Sequence, residues 1–136
     1  MITGTTALIA HIGYPTHTFK SPMIYNPYFE QAGIDCVVVP MAAPAADYPA
    51  FLDAIFTLEN IRGALVTMPH KMTTVGLLDR VTPAVRIAGA CNAVRRAADG
   101  RLEGDLFDGE GFVRGLTRKG CTMRGASAFI AGAGGV

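Results

Sequence analysis

An apolar run, Ala64 to Met68, stops abruptly at Pro69-His70-Lys71, and this junction limits what the chain can fold into. The run suits a short buried strand. Pro69 cannot donate to a ladder, so the strand must close there, and its fixed φ suits the first turn of a helix. Lys71 is thereby placed at a strand-to-helix corner. In open α/β sheets such corners, at the carboxyl ends of strands, are where ligands sit. A lysine in a first helical turn is also read as an ordinary solvated charge, so position alone assigns it no role.

The same alternation runs through the chain. Ala7 to Ile12 reads as a strand ending at Gly13-Tyr14-Pro15, followed by the polar loop Thr16-His17-Thr18-Phe19-Lys20. Ser21-Pro22 is the signature of a helix start, with a hydroxyl and free N–H groups at a positive helix end. Pro27 predicts an interruption and a restart capped by Asn26, with Gly33 as the stop. Ile34 to Met41, rich in β-branched residues, predicts a second strand stopped by Pro40 and Pro44. Tyr48, Phe51, Leu52, Ile55, Phe56 and Leu58 trace one apolar face of a helix between Asp47 and Asn60. Helices are predicted from Pro69 to about Leu78 and from Thr82 to Ile87. Short connections between alternating strands and helices imply right-handed crossovers and a largely parallel sheet.

The pattern changes at Asn92. Asn92 to Ala97 and Arg101 to Leu106 flank Ala98-Asp99-Gly100, a strong hairpin signal that adds an antiparallel element near the sheet edge. A helix over Glu110 to Lys119 follows Asp105-Leu106-Phe107-Asp108-Gly109, and Gly120 ends it. Ala126 to Ala131 reads as a further apolar strand running into Gly132-Ala133-Gly134-Gly135. A strand followed by G-x-G-G opens a dinucleotide-binding turn, whose glycines let the backbone approach a pyrophosphate, although such strings also occur as plain turns. With its sheet partners missing from the sequence, the segment from about Gly120 onward is expected to be weakly anchored. The fold class is thus an α/β domain with an open, largely parallel sheet, helices on both faces and an edge hairpin, followed by the first strand of a Rossmann domain.

Composition excludes several classes. The 136 residues carry a formal net charge of +1 with the basic residues scattered, which argues against a nucleic-acid or anionic-membrane surface. No apolar stretch approaches the roughly 18 residues needed to span a bilayer, and no signal-peptide pattern opens the chain, so a cytoplasmic protein is expected. Cys36, Cys91 and Cys121 are odd in number and widely spaced, and His11, His17 and His70 show no ligand spacing. The cysteines read as reduced small hydrophobes and the histidines as structural or solvated, with no metal site. Homodimer formation is compatible with the sequence but nothing in it specifies one.

Lys20-Ser21-Pro22, Val66-Thr67-Met68-Pro69-His70-Lys71, Gly89-Ala90-Cys91-Asn92, Gly104-Asp105 with Asp108-Gly109, and Gly132-Ala133-Gly134-Gly135 follow one another at separations that resemble those of the shikimate dehydrogenase family. Each motif is unspecific alone; in this order they are specific. The resemblance covers almost the whole chain. It implies a substrate-binding α/β domain (1–108), a connecting helix (109–124) and the start of a Rossmann domain (125–136) for NADP or NAD, with catalysis in the cleft between the two domains. Carried over, the family's catalytic lysine falls on Lys71 and its partner aspartate on Asp108. Ligands of the substrate's hydroxyls and carboxylate fall on Ser21, Thr67 and Asn92, and the cofactor turn falls on Gly132, Ala133, Gly134 and Gly135.

Two positions depart from that pattern. The family's first loop offers a serine on each side of its lysine, whereas Phe19 precedes Lys20 here. The family's Asn-Thr-Asp is here Leu106-Phe107-Asp108. Losing one hydrogen bond to a charged group weakens binding by roughly ten- to hundredfold, so Phe19 bears on whether shikimate itself is the substrate. The implied function is the substrate-binding part of an NAD(P)-dependent oxidoreductase acting on a secondary alcohol of shikimate, quinate or a related cyclic hydroxy acid. The competing reading is a non-catalytic α/β module that binds a small ligand.

Overall fold

The computed structural model describes residues 1–132. Its elements are β1 (Ala7–Gly13), α1 (Ser21–Gln31), β2 (Cys36–Ala42), α2 (Tyr48–Ile55), β3 (Ile61–Val66), α3 (Lys71–Val75), β4 (Arg80–Val81), α4 (Pro83–Ala88), β5 (Ala93–Arg96), β6 (Leu102–Asp105) and α5 (Asp108–Arg118). The strands form one sheet in the order β2-β1-β3-β5-β6-β4. β1 pairs in parallel with β2 and β3, and β4 with β6, while β5 runs antiparallel to both β3 and β6. Because β6 reverses a reversal, it runs in the direction of β3. Their carboxyl ends therefore face the same way.

Period-two alternation decides which side chains form the core. On β1, Ala10 and Ile12 are fully buried, and on β3 Ala64 and Val66 join them against Tyr48, Leu52 and Ile55 of α2 and Val85 of α4. Each buried aliphatic side chain of this kind contributes about 1.5–3 kcal/mol by leaving water. His11 and its register partner Leu65 point to the opposite face, where α1 lies. Gly104 on β6 is required by packing, since a Cβ there would overlap Leu78 and the Cys91 sulfur.

Several elements differ from their sequence expectation. Pro40 does not stop β2 but sits inside it, because β2 is an edge strand and one side of its backbone lies outside the ladder. α1 is one uninterrupted helix across Pro27. Asn26 starts no new helix. Its side chain accepts from the Val38 N–H (2.7 Å) and donates to the Val38 carbonyl (3.1 Å), so it caps the open edge of β2 as a neighbouring strand would. Pro69 lies in a turn before α3 rather than in its first turn. The hairpin forms with Gly100 at φ 84° in its turn, and the unanticipated two-residue β4 lies outside it.

The expected strand Ala126 to Ala131 is not formed: these residues are exposed and irregular, since no strand offers them a ladder. Among the described residues no helix is long and apolar enough to cross a membrane.

Candidate active site

Lys71 opens α3 immediately after the turn that leaves β3. That turn is pinned from below by His70, which is buried, stacks on Tyr48 (centroids 3.9 Å apart, 7° between planes) and donates from Nε2 to the Ala43 carbonyl at 2.8 Å. Thr74 donates to the His70 carbonyl and shares a 2.6 Å hydrogen bond with the Tyr48 hydroxyl. Burial pushes the Tyr48 phenol up to about 12, so its hydroxyl keeps its proton throughout the neutral range. His70 thus has the structural role expected of it, and what it structures is the corner that presents Lys71.

Asp108 opens α5, where a carboxylate is favoured by the helix dipole. Its Oδ2 lies 2.6 Å from Lys71 Nζ. The lysine side chain is 10% exposed and the aspartate 48%, so the pair sits at a mouth with the amine inside and the carboxylate outside. The 37-residue separation is bridged because β3 and β6 end on one side of the sheet.

Asn92 holds this pair in place. Its carbonyl accepts from the Val66 N–H (2.8 Å) and its N–H donates to the Asp105 carbonyl (3.0 Å), which fixes it between the ends of β3 and β6. Its side chain then donates to Asp108 Oδ1 (2.9 Å) and accepts from the Phe107 N–H (3.0 Å). One amide thereby turns the carboxylate toward Lys71 and pins the chain entering α5. Leu106 packs against the core, while Phe107 is half exposed.

Thr67 is anchored by its N–H to the Ile12 carbonyl (2.9 Å). Together with Lys71, Asn92, Asp108, Ser21, Tyr25, Leu65, Val66 and His11 it lines a cavity of about 190 Å³. Lys71, Asp108, Ser21, Thr67 and Asn92 therefore converge. Phe19 is placed beside the cavity and not in its lining; its ring stacks on His11 with centroids 4.0 Å apart. Gly13 makes room for this, because a Cβ there would lie 2.7 Å from Phe19 Cζ and 2.5 Å from Thr67 Cγ2. Of the cofactor turn, Gly132 is exposed and has φ 91°, a conformation that suits glycine, and Ala133, Gly134 and Gly135 lie outside the described residues. The described residues form no cradle for a pyrophosphate.

His11, read from the sequence as structural or solvated, also lines this cavity. It is no more than 9% exposed, its Nδ1 is hydrogen-bonded to Ser21 Oγ, and burial holds its imidazole below the ordinary value. The signal was present in the strand alternation: His11 stands between Ala10 and Ile12, two core residues, near the carboxyl end of β1, and so faces the ligand side.

A family model described as the shikimate dehydrogenase substrate binding domain matches residues 11–94. The chain is 39% identical over 135 residues to a shikimate dehydrogenase (NADP(+)) from Geobacter metallireducens, covering 98% of this chain and 46% of that protein. It is 39% identical over 134 residues to another from Rubrobacter xylanophilus, covering 98% and 47%. It superposes with a TM-score of 0.83 on a crystal structure of shikimate 5-dehydrogenase from Listeria monocytogenes in complex with shikimate and NAD, at 33% identity, covering 90% of this chain and 42% of that one. The chain spans about half the length of the curated relatives it matches. With the motifs in order, the Lys71–Asp108–Asn92 cluster assembled at the strand ends and the family model matching more than half its length, the chain belongs to the shikimate dehydrogenase family, as its substrate-binding domain.

Proposed function

We propose that this chain is the substrate-binding part of an NAD(P)-dependent dehydrogenase of the shikimate type, interconverting a secondary alcohol and a ketone on shikimate, quinate or a related cyclic hydroxy acid. NADP is the favoured cofactor, since both relatives described are named as NADP(+) enzymes. The observation that carries the reading is the ion pair of Lys71 with Asp108, held by Asn92 at the wall of a small cavity that opens at the carboxyl ends of the strands.

Alcohol oxidation separates a hydride from a proton. The nicotinamide, when bound by the remainder of the protein, supplies the acceptor for the hydride. Lys71 and Asp108 take the proton: Lys71 Nζ reaches the substrate hydroxyl, and Asp108 orients the amine and shares the proton with it. Asn92 keeps Asp108 in that orientation while its own amide faces the cavity, and Thr67 and Ser21 offer hydroxyls to the rest of the ring. A cavity of about 190 Å³ is below the roughly 300–1,000 Å³ of complete drug-sized sites, in keeping with one wall of a cleft whose other wall is the cofactor domain. Solubility in the cytoplasm accords with the scattered charge.

The test is a spectrophotometric assay of the complete protein for NADP- and NAD-dependent oxidation of shikimate and quinate. Turnover of either supports the reading. Tight binding of a cyclic hydroxy acid with no nicotinamide reduction in the presence of either cofactor would favour the non-catalytic binding module.

A further inference from the structure

His70 and Lys71 are neighbours whose side chains take opposite courses. Lys71 lines the cavity and reaches Asp108, while His70, 1% exposed, is buried against Tyr48 and stands outside the lining. Lys71 opens α3, which is five residues long, and a helix of little more than one turn does not hold its own geometry. The place of the lysine therefore depends on what this corner is bonded to.

Those bonds close a ring through the ends of three strands. His70 Nε2 donates to the carbonyl of Ala43, which follows β2 (2.8 Å), and the Ala43 N–H donates to the carbonyl of Gly13, the last residue of β1 (3.2 Å). The next N–H, that of Tyr14, donates to the carbonyl of Met68, two residues before His70 (3.1 Å). Within this ring the imidazole N–H is the one side-chain link, and so the one that a substitution can open. Opening it leaves the carbonyl of Ala43, a residue 5% exposed, without that donor, and the corner shifts to find it another. The ion pair at 2.6 Å fixes the far end of the Lys71 side chain, so a shift of its near end alters the angle at which Nζ meets the substrate hydroxyl. Misplacement by about 1 Å lowers a rate by up to about 10²-fold.

We propose that His70 is a positioning residue for proton transfer: its hydrogen bond to Ala43 ties the Lys71 corner to the ends of β1 and β2, and so sets kcat from inside the core. The proposal rests on the dehydrogenase reading above and extends its machinery to a side chain that touches neither Asp108 nor the cavity. Tyr48 contributes by stacking, which fixes the plane of the imidazole and aims Nε2 at the carbonyl.

The experiment measures kcat and KM of the complete protein with saturating nicotinamide cofactor and the cyclic hydroxy acid it turns over best. His70→Phe keeps a ring on Tyr48 and removes the donor, and is expected to lower kcat by about five- to fiftyfold with KM within about threefold. His70→Gln, whose amide offers a donor near the place of Nε2, should recover most of that loss. Beside Lys71→Ala, His70→Phe should change kcat by less than about twofold, because a residue that acts through Lys71 then has nothing to act on. An equal fall in both backgrounds would show a general effect on the fold and overturn the proposal. So would a kcat unmoved by His70→Phe, or a His70→Gln protein no more active than His70→Phe. His70→Met also removes the donor, with a side chain that adapts to its site, and takes the place of His70→Phe in every comparison if that variant does not fold. Failure of the unmodified protein to turn over any cyclic hydroxy acid overturns the dehydrogenase reading, and this extension with it, and is seen before any variant is compared.

Discussion

Asn92→Asp is the smallest change that disturbs the proton-transfer pair without touching either member. The new carboxyl keeps an acceptor for the Phe107 N–H at 3.0 Å but places an oxygen where a donor stood, 2.9 Å from Asp108 Oδ1. Two charges about 4 Å apart repel by about 1 kcal/mol in water and about 4 kcal/mol at an effective dielectric of 20. With Asp108 half exposed the lower part of that range applies, and the lost hydrogen bond adds about 1 kcal/mol. A total of about 2–3 kcal/mol turns Asp108 away from Lys71 and should lower kcat by roughly thirty- to hundredfold. The two carboxyls share one site, so one of them holds its proton more strongly than usual, and the defect should persist from pH 8 to pH 6 and shrink only as pH falls from 6 to 4. Steady-state kinetics of the complete protein across that range is the assay. A kcat within twofold of the unmodified protein at pH 8 would refute the idea that Asn92 holds the pair.

Other substitutions probe the supporting structure. Tyr48 is held up to about 12 by burial, against an ordinary value near 10, so the folded state keeps a proton that the unfolded state loses; the resulting stability is present below pH 10 and is lost, by about 2–3 kcal/mol, as pH rises to 12. Tyr48→Phe should cost about 1 kcal/mol at pH 8 through the lost Thr74 hydrogen bond and remove this contribution to alkaline destabilisation, as urea titrations at pH 8 and pH 10.5 would show. Gly13→Ala places a Cβ 2.8 Å from the Met68 carbonyl as well as against Phe19 and Thr67, and should cost about 1–3 kcal/mol in denaturant midpoint and weaken substrate binding. Phe19→Ser should change shikimate KM by several-fold through the freed His11 ring, and an unchanged KM would remove Phe19 from the account of specificity.

The parts of the site carried by local rules were legible in the sequence. The strand ending before Pro69 placed Lys71 at a corner, and the family resemblance placed its partner on Asp108. The geometry joins them at 2.6 Å. What could not be seen depended on contacts between distant segments. Asn26 carried the local signature of a cap, but its amide instead closes the edge of β2, a role defined only once α1 and β2 lie side by side. Pro40 signals a strand end unless the strand is known to be an edge. Ala126 to Ala131 has strand-like composition, yet a strand exists only where a neighbour supplies its ladder, and none of the described strands does. His11 is a lone histidine in an apolar run, and its place in the cavity lining is defined only once β1 and α1 lie side by side.

The central claim is that Lys71 and Asp108 handle the proton of the reacting hydroxyl. Lys71→Ala in the complete protein, assayed for kcat and KM with the cyclic hydroxy acid it turns over best, tests it most directly. The account predicts a fall in kcat of about 10²–10⁴ with KM changed by only a few-fold. A raised KM with kcat intact would contradict it, and would make Lys71 a binding residue whose ion pair with Asp108 serves the substrate's position and not its chemistry.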